Sequence, residues 1–244
     1  MIKSIFFVFT VAMLLFSCKK DDTIADKAPA YKIKTYSESV TSGSYQISYT
    51  FNVNYDSQDR IVSLVSTAGA GDRFEWHYEP GKVTMEIFGS NALAIHEEFY
   101  LNKNNFPDST YQYNDTQDYS TERYIYNSGK QLTTRYDYDF YPGYGSSLYN
   151  TVNYVWDSNG NIVKEIDQNG TTSYEYDLTH PSVVKALVDF MPASKNLVTK
   201  TSFSDGGSTI VFNHAYTFDA ENRVSTETIT SNTGETAVRS YTYY

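Results

Sequence analysis

Cysteine is nearly absent from this chain, which has one, Cys18, among 244 residues. A single cysteine excludes an internal disulfide, so the stability of the fold must come from packing. Positive charge is also scarce, because 19 Lys and Arg face 29 Asp and Glu and leave a net charge of −10. An acidic surface repels phosphate groups, which argues against nucleic acid as a partner and against electrostatic binding to anionic membranes.

Signatures of catalysis are missing as well. The chain has four histidines, His77, His96, His180 and His214. None of them has the spacing of zinc ligands, and the chain has no Gly-x-Ser-x-Gly nucleophile motif. We therefore predict a non-catalytic protein with no cofactor and no metal. A hydrolase stays open as an alternative, since any two acids can meet in a fold.

One segment has the alternating oxygen ligands of a calcium loop, Asp157-x-Asn159-x-Asn161. The bidentate glutamate that should close such a loop would fall at Gln168. A turn in which the aspartate accepts hydrogen bonds from its own backbone explains the same residues equally well.

The amino terminus has the features of an export signal. Lys3 precedes an apolar stretch at residues 5–16, which is too short to span a bilayer, and Cys18 follows at the expected cleavage point. This arrangement resembles the bacterial lipobox, which implies acylation of Cys18 and anchoring in a lipid bilayer. The following Lys19-Lys20-Asp21-Asp22 resembles the surface-export signal of Bacteroidetes lipoproteins.

These features divide the chain. We predict a signal peptide at residues 1–17, a lipidated flexible tether at 18–30 and a single β-repeat domain at 31–244. The predicted location is the outer membrane, with the domain exposed at the cell surface.

Aromatic residues are abundant, with 24 Tyr and 14 Phe, and they favour β-structure. Residues 45–55 alternate apolar and polar side chains, which predicts a strand with one buried face. A polar turn and a second apolar run at 61–65 complete a β-hairpin.

The hairpin turn recurs along the chain as an aromatic, an acid or amide, a short polar stretch, a basic or amide residue and an aliphatic. The copies begin at Tyr55-Asp56, Tyr78-Glu79, Tyr126-Asn127, Trp156-Asp157 and Phe218-Asp219, with a degenerate copy at residues 100–106. Asp or Asn at a turn start accepts backbone hydrogen bonds, and Gly or Asn supplies a positive φ. Such a series indicates a repeat architecture.

Two copies, Tyr55-Asp56-x-x-x-Arg60-Ile61 and Phe218-Asp219-x-x-x-Arg223-Val224, resemble the YD repeats of the Rhs family. The chain resembles more closely a group of Bacteroidetes lipoproteins with degenerate YD-like hairpins, the domain of unknown function 4595. That resemblance also rests on Tyr174-Glu175-Tyr176-Asp177, on His180-Pro181 and on residues 194–198. It implies a fold of β-hairpins and says little about activity.

One helix is predicted at residues 181–191, because Pro181 suits a first helical position and Val183, Leu187 and Met191 share a face. The predicted fold is therefore all-β, an antiparallel meander of long hairpins curled into an open barrel or a rolled sheet, with one short helix. A two-sheet sandwich is the alternative.

Tyrosines suggest the function, because sugars stack on aromatic rings and bond to hydroxyls. The densest set comprises Tyr111, Tyr113, Tyr119, Tyr124, Tyr136, Tyr138, Tyr141 and Tyr144. We predict ligand-binding roles for Tyr136, Tyr138, Tyr141 and Tyr144. The predicted function is a non-catalytic envelope module that binds a glycan or a protein. A structural or assembly component of the envelope without a small ligand is the main alternative.

Overall fold

The chain folds into a closed barrel of sixteen antiparallel β-strands. The structure, a computed structural model, describes residues 32–69, 71–113, 119–141, 145–182 and 194–244. Each strand pairs with its neighbours in the sequence, and the last pairs with the first.

The strands are β1 Ile33–Ser42, β2 Tyr45–Tyr55, β3 Ile61–Ser66, β4 Arg73–Glu79, β5 Lys82–Gly89, β6 Ala92–Leu101, β7 Pro107–Tyr113, β8 Tyr119–Tyr126, β9 Leu132–Tyr141, β10 Gly145–Trp156, β11 Ile162–Asp167, β12 Gly170–Pro181, β13 Asn196–Ser204, β14 Thr209–Phe218, β15 Val224–Ser231 and β16 Thr236–Tyr243.

The predicted all-β antiparallel meander is present, but the prediction of an open barrel or a rolled sheet is wrong. Strand β16 pairs with β1 from Ile33↔Tyr243 to Thr41↔Thr236, so the sheet has no free edge. Closure satisfies the backbone groups that an edge strand would leave unpaired, which gives it an advantage over an open sheet or a sandwich.

The predicted short helix is also wrong. Strand β12 continues to Pro181, where a helix was expected to begin, and Pro181 faces Asn196 after a break in the ladder. Proline is tolerated at such a strand end because no ladder hydrogen bond is required of it. Residues 183–191 of the predicted helix lie outside the described residues, and the residues that the structure describes form no helix.

The alternation predicted for residues 45–55 is confirmed by β2. Phe51 and Val53 are buried inside the barrel, whereas Asn52 and Asn54 lie on its outer face. The two-residue alternation along a strand therefore indicates which side chains lie on the inner face and which on the outer face, because successive side chains of a pleated strand point to opposite sides.

The repeated turns all lie at one rim of the barrel, because each joins an even-numbered strand to the next odd-numbered one. Asp56 Oδ1 accepts hydrogen bonds from the backbone N–H groups of Gln58 and Arg60, at 2.8 and 3.0 Å. Asp219 Oδ1 accepts the same pair from Glu221 and Arg223, at 3.0 and 2.9 Å. The predicted role of the turn acid is thus confirmed.

Four of the five repeated aromatic side chains also join neighbouring strands. Each donates a hydrogen bond to the carbonyl of the residue that opens the preceding odd-numbered strand: Tyr55 to Ile33 at 3.0 Å, Tyr78 to Ile61 at 2.9 Å, Tyr126 to Pro107 at 2.8 Å and Trp156 to Leu132 at 2.7 Å. The fifth, Phe218, has no donor, and Tyr243 at the end of β16 makes the corresponding bond to Val224 at 2.7 Å. The sequence repeat therefore encodes contacts between repeats as well as turns.

The interior of the barrel contains both apolar clusters and buried ion pairs. The main cluster includes Val53, Trp76 and Val83 and draws on strands β1–β6 and β13–β16. In the interior, Arg239 bonds Glu38 at 3.0 Å and Glu227 at 3.2 Å. These pairs satisfy charges that would otherwise be buried without partners.

The outer face of the strands around the closure carries small polar side chains. Thr35 and Thr242 hydroxyls lie 2.6 Å apart across β1 and β16, and Ser37 and Thr50 hydroxyls lie 3.0 Å apart across β1 and β2. This part of the outer surface is suited to contact with water.

Candidate functional site

Aromatic side chains gather on the outer face of neighbouring strands β6 to β9. Strand register places Tyr100 in one row with Ser109, Arg123 and Tyr136, each directly opposite the next. A second row runs from Glu98 through Tyr111 and Thr121 to Tyr138, and a third from His96 through Tyr113 and Tyr119 to Phe140. We call the aromatic members of these rows the outer aromatic patch: Tyr100, Tyr111, Tyr113, Tyr119, Tyr136, Tyr138 and Phe140.

Five of the seven rings in this patch make ring contacts within it. Tyr119 and Phe140 stack with centroids 4.3 Å apart, and Tyr113 and Tyr119 lie 6.0 Å apart. Tyr100 and Tyr111 meet edge to face at 5.6 Å. Such contacts stabilise aromatic pairs beyond simple burial and hold the rings in fixed relative positions.

A shallow groove of about 290 Å³ lies on the patch, lined by Tyr100, Ser109, Tyr111 and Tyr113. Tyr100 and Tyr113 remain 39% and 42% exposed, so their rings are available to a ligand.

Charged groups border the groove. The Tyr100 hydroxyl donates a hydrogen bond to Glu98 at 2.8 Å, and Lys82 bonds the other Glu98 oxygen at 3.0 Å. The hydrogen bond with Glu98, together with burial, raises the pKa of Tyr100, so the phenol keeps its proton at neutral pH. Its partner Glu98 has a lowered pKa, because the hydrogen bonds from Tyr100 and Lys82 outweigh the effect of burial. The groove therefore combines apolar rings with fixed donors and acceptors.

The architecture occurs in known proteins. The barrel is similar to porin-like proteins of Bacteroides. A crystal structure from Bacteroides uniformis at 2.32 Å resolution has a TM-score of 0.60 and 13% sequence identity, and the match covers 88% of this chain and 98% of that one. A crystal structure from Bacteroides vulgatus at 2.80 Å has a TM-score of 0.62 and 13% identity, covering 88% and 99%. At this identity the likeness establishes the fold alone.

Comparison of the sequence itself gave no relatives. No protein-family model matches the chain, and no curated protein matches it. Within the described residues, no helix has the length and apolar character required to cross a membrane.

Two of the four predicted ligand-binding tyrosines lie on this surface of the barrel. Tyr136 and Tyr138 occupy the outer face of β9, opposite Arg123 and Thr121 of β8. Tyr141 ends β9 and its side chain lies outside the described residues, as does the whole of Tyr144.

The other tyrosines of the predicted set divide between the outer and the inner face of the barrel, according to their position along each strand. Tyr111, Tyr113 and Tyr119 belong to the outer aromatic patch, whereas Tyr124 points inward and is 3% exposed. Burial raises the pKa of Tyr124 far above its usual range, and its hydroxyl donates to Glu122 inside the barrel. Tyr124 is therefore a structural residue.

Sequence reasoning missed Tyr100 and Phe140 as members of the surface. The alternation His96, Glu98, Tyr100 along β6 was the available signal for Tyr100. This alternation alone could not place Tyr100 beside the other tyrosines, because the sequence does not show that β6 pairs with β7.

Several acids of the interior are already committed to partners. Arg135 bonds Asp137 through two nitrogens at 2.7 and 3.1 Å and lies 3.6 Å from Glu122. Glu227 accepts hydrogen bonds from His214 at 2.8 Å and Tyr216 at 3.0 Å. These groups stabilise the barrel, and the His214 side chain is packed in its interior.

The calcium-like segment is a turn. Asp157 Oδ1 accepts hydrogen bonds from the backbone of Asn159 at 2.9 Å and of Asn161 at 2.8 Å. The Asn161 side chain is buried and accepts from the backbone of Lys195 and Asn196. The oxygens that a cation would need are therefore occupied, which favours the turn interpretation.

Proposed function

We propose that this chain is a non-catalytic lipoprotein of the bacterial envelope and that its outer aromatic patch binds a glycan. The observation that carries the proposal is the set of partly exposed aromatic rings on β6 to β9, in which the rings of Tyr113 and Tyr119 contact each other. Patches of this kind on a protein surface mark sites of interaction.

Sugar chemistry fits the patch. The C–H faces of a sugar ring stack on tyrosine, and its hydroxyls take hydrogen bonds from groups at the margin. Glu98, Ser109 and Arg123 lie in the same rows as the rings and offer both acceptors and donors. A shallow open groove suits a chain that extends beyond the site.

The polar outer face of β1, β2 and β16 supports a barrel that is tethered rather than embedded. A barrel within a membrane presents an apolar band to lipid. Here the outward residues of β2 include Gln46, Ser48, Asn52 and Asn54. Attachment through an acylated Cys18, with residues 18–30 as the tether, would hold such a barrel at the outer membrane surface.

The repeat structure supports a relationship with the Bacteroidetes lipoproteins that have YD-like hairpins. The turn acid and the aromatic that define the motif are the residues that bond within and between hairpins in this barrel. The Bacteroides origin of the two porin-like proteins agrees with that relationship and with an envelope location.

The test is a binding screen of residues 32–244, which contain the whole closed barrel, against immobilised polysaccharides and host glycans. We expect saturable binding to at least one glycan. Tyr113→Ala and Tyr119→Ala should each weaken it about fivefold, since a stacked aromatic contact contributes roughly 1 kcal/mol.

Tyr45→Ala is the matched control, because Tyr45 is an exposed tyrosine on a strand outside the patch. Equal losses in all three variants would contradict a role for the patch. Absence of saturable binding across a broad panel would reject glycan binding and favour a protein partner or a structural role in the envelope. Release of sugar from a bound glycan would reject the non-catalytic assignment.

A further inference from the structure

Two histidines and two glutamates converge on the outer face beside the aromatic patch. Glu75 and His77 lie on β4, Glu86 on β5 and His96 on β6. The register sets Glu75 directly opposite Glu86, and Glu86 directly opposite His96.

The polar atoms of this cluster lie close together. His77 Nε2 is 3.5 Å from Glu86 Oε2 and 4.0 Å from Glu75 Oε2. One ligand atom from each of Glu75, His77 and Glu86 lies within 4.8 Å of the others. Ligands around a tetrahedral Zn²⁺ are about 3.3 Å apart, as bonds of about 2.0 to 2.1 Å require. Small side-chain rotations therefore suffice to enclose an ion.

His96 fixes the central glutamate. Its Nδ1 lies 3.1 Å from Glu86 Oε1, which leaves Glu86 Oε2 directed toward His77. Zinc sites use second partners of this kind to orient the groups that touch the metal.

The charges around the cluster favour a cation. Two glutamates directly opposite each other on paired strands repel. Arg73 bonds Glu75 Oε1 at 2.6 Å, and Oε2 of the same carboxylate remains near His77. Lys82 is engaged by Glu98 on the far side of His96. A divalent ion between Glu75 and Glu86 would remove their repulsion.

The site is open to solvent and borders the patch. The His77 side chain is 55% exposed, so an ion can enter and can retain an open coordination position. The His96 ring lies 5.8 Å from the ring of Tyr113.

We propose that Glu75, His77 and Glu86 bind one divalent transition-metal ion of the zinc class, with His96 orienting Glu86 as a positioning residue. Two carboxylates and an imidazole are a donor set that suits zinc. Glu75 and His77 lie two residues apart on β4, but Glu86 lies on β5, so only the pairing of the two strands reveals the site. The site does not depend on glycan binding by the patch.

The test is calorimetric titration of the chelator-treated chain with ZnCl₂ at neutral pH. We expect one equivalent of zinc to bind with micromolar affinity. His77→Ala and Glu86→Gln should each weaken binding at least 30-fold, and His96→Ala about tenfold, as expected for a second partner.

His180→Ala is the control, because His180 also contacts a carboxylate, Asp177 at 2.6 Å, away from this cluster. It should leave the zinc affinity unchanged. Circular dichroism verifies that each variant retains its strands. Cobalt substitution should give the visible absorption of a low-coordinate site, and loss of that band in His77→Ala supports the assignment. No binding up to millimolar zinc, or binding unaltered in both His77→Ala and Glu86→Gln, would overturn the proposal.

Discussion

The tyrosine hydroxyls at the turn rim show how single atoms join the repeats. Tyr55 donates to the carbonyl of Ile33, which lies 22 residues earlier in the chain. Burial raises the pKa of Tyr55 to about 12, so the hydroxyl keeps its proton across the physiological range. Arg60 of the same turn lies over the ring of Tyr78, 4.2 Å from its centroid.

Tyr55→Phe removes this hydroxyl and retains the ring. We expect the free energy of unfolding to fall by about 1 kcal/mol, because the Ile33 carbonyl loses its side-chain donor. Urea denaturation measures the change. Tyr45→Phe is the control and should change stability by less than about 0.5 kcal/mol, since Tyr45 is 56% exposed. Equal effects in the two variants would show that the rim hydrogen bond contributes nothing.

Turn residues were predictable from sequence in their chemistry but only partly in their geometry. Asp56 and Asp219 cap their turns as predicted, and Asn222 has the expected positive φ of 60°. In the copy at 127–131, however, Lys130 has a φ of 64° although Gly129 precedes it. The fourth position of the turn needs the positive φ whichever residue occupies it, so glycine alone was an insufficient guide.

Strands β1, β15 and β16 are held together by a buried charge network. Arg239 lies between Glu38 and Glu227, and His214 of β14 bonds the latter. Burial would raise the pKa of Glu227, but the hydrogen bond from His214 and the charge of Arg239 outweigh it and lower the pKa to about 2. The network lies where the barrel closes.

Arg239→Met should destabilise the barrel by about 3 to 5 kcal/mol, because two buried carboxylates lose their counter-charge. Lys200→Met is the control, since Lys200 pairs with Glu175 on the exposed face, and its effect should stay within about 0.5 kcal/mol. Chemical denaturation of both variants gives the comparison. A loss below 1 kcal/mol for Arg239→Met would refute a central role for the network.

The same network sets a pH dependence. With a pKa of about 2 in the folded state, Glu227 contributes stability above the unfolded value near 4.5 and loses it as pH falls from about 4.5 to 2. The pKa of Glu227 should rise in Arg239→Met, so the slope of stability against pH in that window should become shallower.

Strands were the most predictable elements. Alternation identified β2 and its return strand β3. The helix prediction failed because Pro181 suits a strand end as well as a helix start. Local sequence does not distinguish these two uses, and pairing of β12 with β13 decided between them.

At the scale of the whole molecule, the predicted lipidation site precedes the closed barrel in the sequence. The barrel occupies residues 33–243. Attachment at Cys18 would leave residues 19–32 between the lipid and β1.

Cys18→Ala should abolish incorporation of labelled fatty acid, because the substitution removes the only thiol in the chain. Unprocessed precursor should accumulate, and the protein should no longer fractionate with outer membranes. Metabolic labelling followed by membrane fractionation provides the measurement, with Ser17→Ala as the neighbouring control. Undiminished labelling of Cys18→Ala would reject lipidation at this residue.

The sequence by itself determined the class of structure, the inner and outer faces of the strands and the turns, because each depends on neighbours within a few residues. It also placed Tyr136 and Tyr138 among the candidate binding residues. Only the tertiary structure decided closure, which brings Glu38 and Arg239 together across 201 residues.

The candidate sites depend on the same distinction. Tyr100 joined the outer aromatic patch, and His77, Glu86 and His96 came together, through the register of paired strands. The two-residue alternation along a strand determines which side chains share a face. The neighbours across that face are set by pairing, which is a property of the whole barrel.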